Sequence, residues 1–121
     1  RDVEGTALDQ VRRARRVVPL AGIDVLEEDV TPFRRLGVAG AFDVITAYMI
    51  TFNGHCSDAL WGPSEWDFLI IDLESHLSPS GVIWLELNRE PDTRTCYTPE
   101  LADLFRRHGA VLDRHRVVIR R

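Results

Sequence analysis

Few residues in this chain are equipped for chemistry, and they are scattered. His55 stands in the run Asn53-Gly54-His55. With an ordinary pKa of about 6.5, an imidazole there can take a proton from a bound substrate at neutral pH. It can equally be an inert loop histidine. Glu27-Glu28-Asp29 gathers three carboxylates, which offer paired acceptors to a ligand or form a solvated acidic turn. Cys56 and Cys96 lie far apart with no metal-ligand spacing. They read as two free thiols in a reducing compartment, so a cytoplasmic protein without a metal site is expected. All fifteen basic residues are arginine, which removes lysine nucleophiles and Schiff-base chemistry. Of the three tryptophans, Trp66 and Trp84 are assigned to the core, and Trp61, in the loop before a helix, to the wall of a pocket.

The composition bounds what such residues can serve. With 121 residues the chain is long enough for one domain. Hydrophobic residues at 45% and charged residues at 28% are those of an ordinary globular protein. A net charge of −4 supplies no electrostatic reason to expect a nucleic-acid partner. No apolar run approaches the roughly 20 residues of a membrane span, and no signal peptide is visible, so no membrane partner is expected.

The elements that must position these residues alternate between helical and strand-like patterns, which points to an α/β class. Residues 6–18 read as a helix, capped at Thr6 and ended by Pro19 and Gly22. Residues 23–28 read as a short strand, and 31–38 have room for a short helix. Phe42 to Ile50, FDVITAYMI, is a near-continuous apolar run suited to a strand covered on both faces. Ser64 reads as the cap of a helix in which Trp66, Leu69, Ile70, Leu73 and Leu77 recur at helical spacing. Residues 78–81 read as a turn and 82–87, VIWLEL, as a second buried strand adjacent to 42–50. Thr98 caps and Pro99 opens a helix over 99–108, ended by Gly109. Residues 110–119 read as one last strand near a sheet edge. Glu86, inside an apolar strand, must be paired or near solvent.

Three of these stretches together resemble a known family. They are LEEDVTPF at 26–33, AFDVITAYMITFN at 41–53 and LESHLSPSGVIWLELNRE at 73–90. In order and spacing they resemble the middle and end of class I S-adenosylmethionine-dependent methyltransferase domains. There, a strand with an acidic end precedes a Phe-Asp-hydrophobic strand, and a helix then leads through a Pro-Gly-Gly turn into a further strand. Here that turn is Pro79-Ser80-Gly81, and none of the eight glycines forms the G-x-G of the family's cofactor loop. The resemblance implies a doubly wound, mainly parallel sheet with helices on both faces, a Rossmann-like fold. With Arg1 at the start, residues 1–121 are expected to form a single partial domain whose glycine loop lies upstream.

By resemblance, Glu4 accepts hydrogen bonds from the cofactor's ribose hydroxyls. Asp29 accepts one from the adenine amino group, while the backbone N–H of Val30 meets a ring nitrogen. Ala47 and Tyr48 end a strand where doubly wound sheets hold ligands, Ala47 being small enough to admit the cofactor to the backbone. Asn53 and His55 fall where the family binds its methyl acceptor, with Trp61 beside them and His55 as candidate base. The implied activity is methyl transfer from S-adenosylmethionine to an acceptor, a small molecule or otherwise. The 121 residues themselves are expected to hold the cofactor poorly, having no glycine loop. The competing expectation is a non-catalytic fragment or protein-interaction module of the same shape.

Overall fold

The computed structural model describes residues 17–20, 22–50, 61–89 and 95–121. The chain divides between Ala39 and Gly40 into two units.

In the first unit, β1 (Val17–Leu20) and β2 (Ile23–Leu26) form an antiparallel hairpin. The chain reverses between Leu20 and Ile23, where Gly22 has φ +79°. This corrects two expectations. Val17 and Val18 belong to a strand, not to the end of a helix. The strand at 23–26 pairs only with its hairpin partner and is not a member of a parallel sheet. A helix is also absent from 31–38, where the chain turns at Pro32–Phe33 and Phe33 has φ +57°. Here Glu28 acts locally, since its two carboxylate oxygens accept the Gly37 N–H at 2.8 and 2.9 Å.

The second unit contains β3 (Phe42–Ile50), α1 (Pro63–Ser75), β4 (Leu77–Leu87), α2 (Pro99–Arg107), β5 (Val111–Asp113) and β6 (Arg116–Arg120). The sheet order is β3-β4-β6-β5. The pair β3/β4 is parallel, and β6 is antiparallel to both β4 and β5. The architecture is thus mixed α/β, with a mostly antiparallel four-stranded sheet and two helices. Only one of its three ladders is parallel, against the expectation of a mainly parallel sheet. A single reversed strand is the reason: β3, β4 and β5 point the same way, and β6 fills the slot between β4 and β5.

Alternation sets the faces of this sheet. Ile83 and Leu85 of β4 are buried, as are Val117 and Ile119 of β6, and these pair across the ladder. Helices α1 and α2 pack on each other through Trp66 and Phe105, whose ring centroids are 5.5 Å apart at 84°. The described helices therefore lie together and not on opposite faces, as had been expected. The opposite face, with Val44, Tyr48, Trp84 and Val118, is exposed or half-buried. Strand β3 is adjacent to β4 as its apolar run requires, but it is not deeply buried: Val44 is 58% and Met49 75% exposed. Among the described residues it is an edge strand, paired on one side only.

Both helices follow their end signals. α2 begins with Thr98, whose Oγ1 accepts the Leu101 N–H at 3.3 Å, and with Pro99 in the first turn. It ends in a Schellman arrangement: Gly109, at φ +79°, donates to the Arg106 carbonyl, and Ala110 donates to that of Phe105. α1 starts slightly before the expected Ser64. Gly62 is its cap, and Glu65 accepts the Gly62 N–H at 2.9 Å. Leu77 leaves that helix for β4.

The expected turn at 78–81 is instead part of strand β4, at a register shift against β3. Phe42 pairs with Leu77 and Val44 with Val82, so residues 78–81 all stand opposite Asp43. Ser78 ties that stretch down by donating to Asp43 Oδ1 at 2.7 Å. The expected single strand at 110–119 is instead the β5–β6 hairpin, folded back at Arg114-His115. No described helix is long and apolar enough to cross a membrane.

Candidate functional site

The parallel strands β3 and β4 end together, and Asn88 joins them. Its backbone N–H donates to the Ile50 carbonyl and its Nδ2 to the Met49 carbonyl, each at 3.1 Å. Met49 lies in a register irregularity with φ +57°, a conformation that costs an unbranched non-glycine residue free energy. On the other side of β4, the Leu87 N–H donates to the His115 carbonyl at 2.8 Å. The end of β4 thus holds the end of β3 and the β5–β6 turn at the same level.

An open cleft of about 660 Å³ lies there. Leu87, Asn88 and Arg89 line it from β4, Thr95, Cys96 and Tyr97 from the approach to α2, and Arg114 and His115 from the hairpin turn. Among the described residues the lining contains no carboxylate. Just outside it, Glu86 is engaged: Oε1 accepts from Trp84 Nε1 at 3.1 Å and lies 3.6 Å from Arg116 Nε, while Oε2 lies 3.9 Å from His115 Nε2. Glu86 is therefore both paired and partly open to solvent, as its place in an apolar strand demands. The Arg116 guanidinium also stacks over Trp84, 4.6 Å from the ring centroid. Tyr97 packs edge-on against Phe105. Burial, more than the nearby Cys96 and Asp113, pushes its phenol above the ordinary value, with Arg106 opposing.

Among the described residues the cleft wall carries two guanidiniums, an imidazole, a phenol and a hydroxyl. Among the described residues no group of three or more His, Cys, Asp or Glu could hold a metal ion.

No known protein family, characterised protein or solved structure matches this chain.

The residues expected to act fall in several places. Glu4, Asn53 and His55 lie outside the described residues. Asp29 and Val30 are exposed residues of the first unit, beyond the end of β2. Ala47 and Tyr48 point to opposite sides of β3: Ala47 stands opposite buried Leu85, and Tyr48, 60% exposed, stands opposite Glu86. Trp61 is only 7% exposed and packs edge-on against Trp66, with centroids 5.7 Å apart. Trp66 is fully buried, whereas Trp84 is half-buried on the more open face of the sheet.

Arg89, Tyr97 and Arg114 were not singled out from the sequence. Arg89 had a usable signal, because it follows a buried strand directly and ligands gather at the carboxyl ends of parallel strands. Arg114 had none, because Asp-Arg-His-Arg contains no glycine or asparagine to announce a turn.

Proposed function

We propose that the chain is part of a doubly wound α/β domain that transfers a methyl group from S-adenosylmethionine to a small acceptor. The observation that carries this reading is the β3–α1–β4 unit. Its two parallel strands end side by side at Asn88, beside an open cleft, where folds of this class bind ligands. The co-directional β5 supports the same reading, as does the ordered resemblance of residues 41–53 and 73–90. The reading calls for a further parallel strand on the free side of β3, which would bury Phe42 to Ile50 as their apolar character demands.

The roles that the resemblance assigns are the adenine for Asp29 and Val30, the ribose for Glu4, the donor for Ala47 and Tyr48, and the acceptor for Asn53 and His55. Little covalent help is needed, since the sulfonium already activates the methyl group. Placement in line and exclusion of water supply the rate.

The test is calorimetric titration of S-adenosylmethionine into the 121-residue chain and into any longer natural polypeptide that contains it. Weak binding is expected in the first case and saturable binding in the second. Asp29→Ala should cost on the order of 1 kcal/mol there, about a fivefold loss of affinity. Absence of binding in both polypeptides refutes the reading.

A second reading, a protein-interaction module, is favoured by one feature. The exposed apolar side chains of β3 lie on a strand edge suited to pairing with another chain.

A further inference from the structure

We propose that the cleft at the carboxyl end of β4 binds a small molecule through its carboxylate or phosphate group, held between the guanidiniums of Arg89 and Arg114. The inference rests on the cleft alone and stands whatever reaction the domain performs. It goes beyond the methyl-transfer reading by naming the chemical group that the site takes.

Charge comes first. The chain carries a net −4, yet the described residues of the cleft wall include two arginines and a histidine and no carboxylate. No ion pair engages Arg89 or Arg114 among the described residues. Of the acids near the cleft, Glu86 is already occupied by Arg116, Trp84 and His115, and Asp113 lies near Tyr97. A guanidinium offers a planar fork of N–H groups that fits a carboxylate or a phosphate equally well. Two such forks with Tyr97 and Thr95 nearby make a site for an oxyanion. The volume is that of a small-molecule site.

Backbone geometry is the second, independent argument. Arg114 opens the two-residue turn between β5 and β6 at φ +54°, and His115 follows without a positive φ. Glycine is the residue favoured at the first position of such a turn, and arginine there is strained. The turn is fixed to β4 by the Leu87–His115 hydrogen bond, so the strain is not relieved by drifting away. A side chain that folding would replace with hydrogen has been kept on the wall of the cleft.

The same strain provides a clean test. Arg114→Gly removes the guanidinium while easing the backbone, so it should leave the thermal midpoint unchanged or raise it. Inorganic phosphate and succinate are titrated separately into the chain, followed by backbone amide shifts and by heat. At least one anion should bind saturably, with shifts centred on residues 87–89 and 114–115; which one binds more tightly tells phosphate from carboxylate. Arg114→Gly and Arg89→Gln should each weaken it about tenfold or more. Arg107→Gln, on the exposed side of α2, should leave it unchanged. The proposal is overturned if neither anion saturates, if the shifts fall elsewhere, or if Arg107→Gln weakens binding as much as the cleft variants do.

Discussion

Gly81→Ala is expected to destabilise the second unit, although conformational entropy alone favours the change. Gly81 has no positive φ, so alanine can adopt its backbone. The unfolded chain would lose freedom, a gain of about 0.4–1 kcal/mol for the fold. Space decides the other way. A Cβ at Gly81 would sit 2.6 Å from both Cγ and Cδ1 of Leu77 and 3.0 Å from the carbonyl oxygen of Phe42. Leu77 is itself 97% buried and cannot swing out, while the Phe42 carbonyl belongs to the β3/β4 pair. Overpacking of this kind costs about 1–3 kcal/mol. The net loss is then about 1.5 kcal/mol, or a fall of roughly 6–12 °C in the midpoint for a unit of this size.

Thermal and urea unfolding followed by circular dichroism measure it. The cycle with Leu77→Ala separates the two obstacles. That change alone should cost about 2–5 kcal/mol, and in its background Gly81→Ala should be close to neutral, because the added methyl enters space that Leu77 vacated. A midpoint for Gly81→Ala at or above wild type would refute the reasoning. A penalty undiminished beside Leu77→Ala would move the obstacle from the side chain to the Phe42 backbone.

His108 caps α2 and spans two turns of α1, with Nε2 2.6 Å from Asp67 Oδ1 and Nδ1 2.6 Å from Glu74 Oε1. Since both carboxylates are partly exposed, His108→Ala should cost only about 1–2 kcal/mol in urea unfolding; an unchanged midpoint would show that the Asp67 hydrogen bond and the Glu74 contact contribute nothing net. Tyr97 should ionise above the ordinary phenol value of about 10, because burial disfavours the phenolate. The unfolded chain then loses that proton at lower pH than the fold does, so stability falls as pH rises from about 10 through the folded value. An ultraviolet phenolate titration checks this, and a step lost in Tyr97→Phe that lay at or below the ordinary value would sink it.

The second unit was largely legible where end signals and apolar period agreed. Thr98, Pro99 and Gly109 mark α2 by mechanisms that act within a few residues of chain, and the structure uses all three. The apolar runs at 42–50 and 82–87 named two strands that are adjacent and parallel. Legibility failed where pairing decides the outcome. Nothing local distinguishes a strand at 23–26 in a parallel sheet from one in a hairpin, since the choice depends on which edge is nearest in space. Residues 110–119 failed for a different reason. The odd step from Leu112 to Val117 breaks the alternation at the reversal, but the reversal falls on an arginine that no turn rule selects.

The site was hidden by the same logic. Of the residue types that suggested a site, His55 lies outside the described residues and Trp61 lies in the core. Function in an α/β domain is set more by where a strand ends than by what a residue is, and four-atom geometry at such an end is not written in composition. What marks this end is backbone strain on both sides of Asn88. Met49 at the close of β3 and Arg114 at the hairpin turn both take a left-handed conformation that glycine would adopt at lower cost. Asn88 holds the carbonyl of the first, and Leu87 holds the turn that contains the second. Either outlier alone could be an accident of packing. Two of them, one bonded to Asn88 and the other next to the His115 that Leu87 holds, stand together at the carboxyl end of one strand beside the open cleft, and that coincidence is why the proposed anion site is placed there.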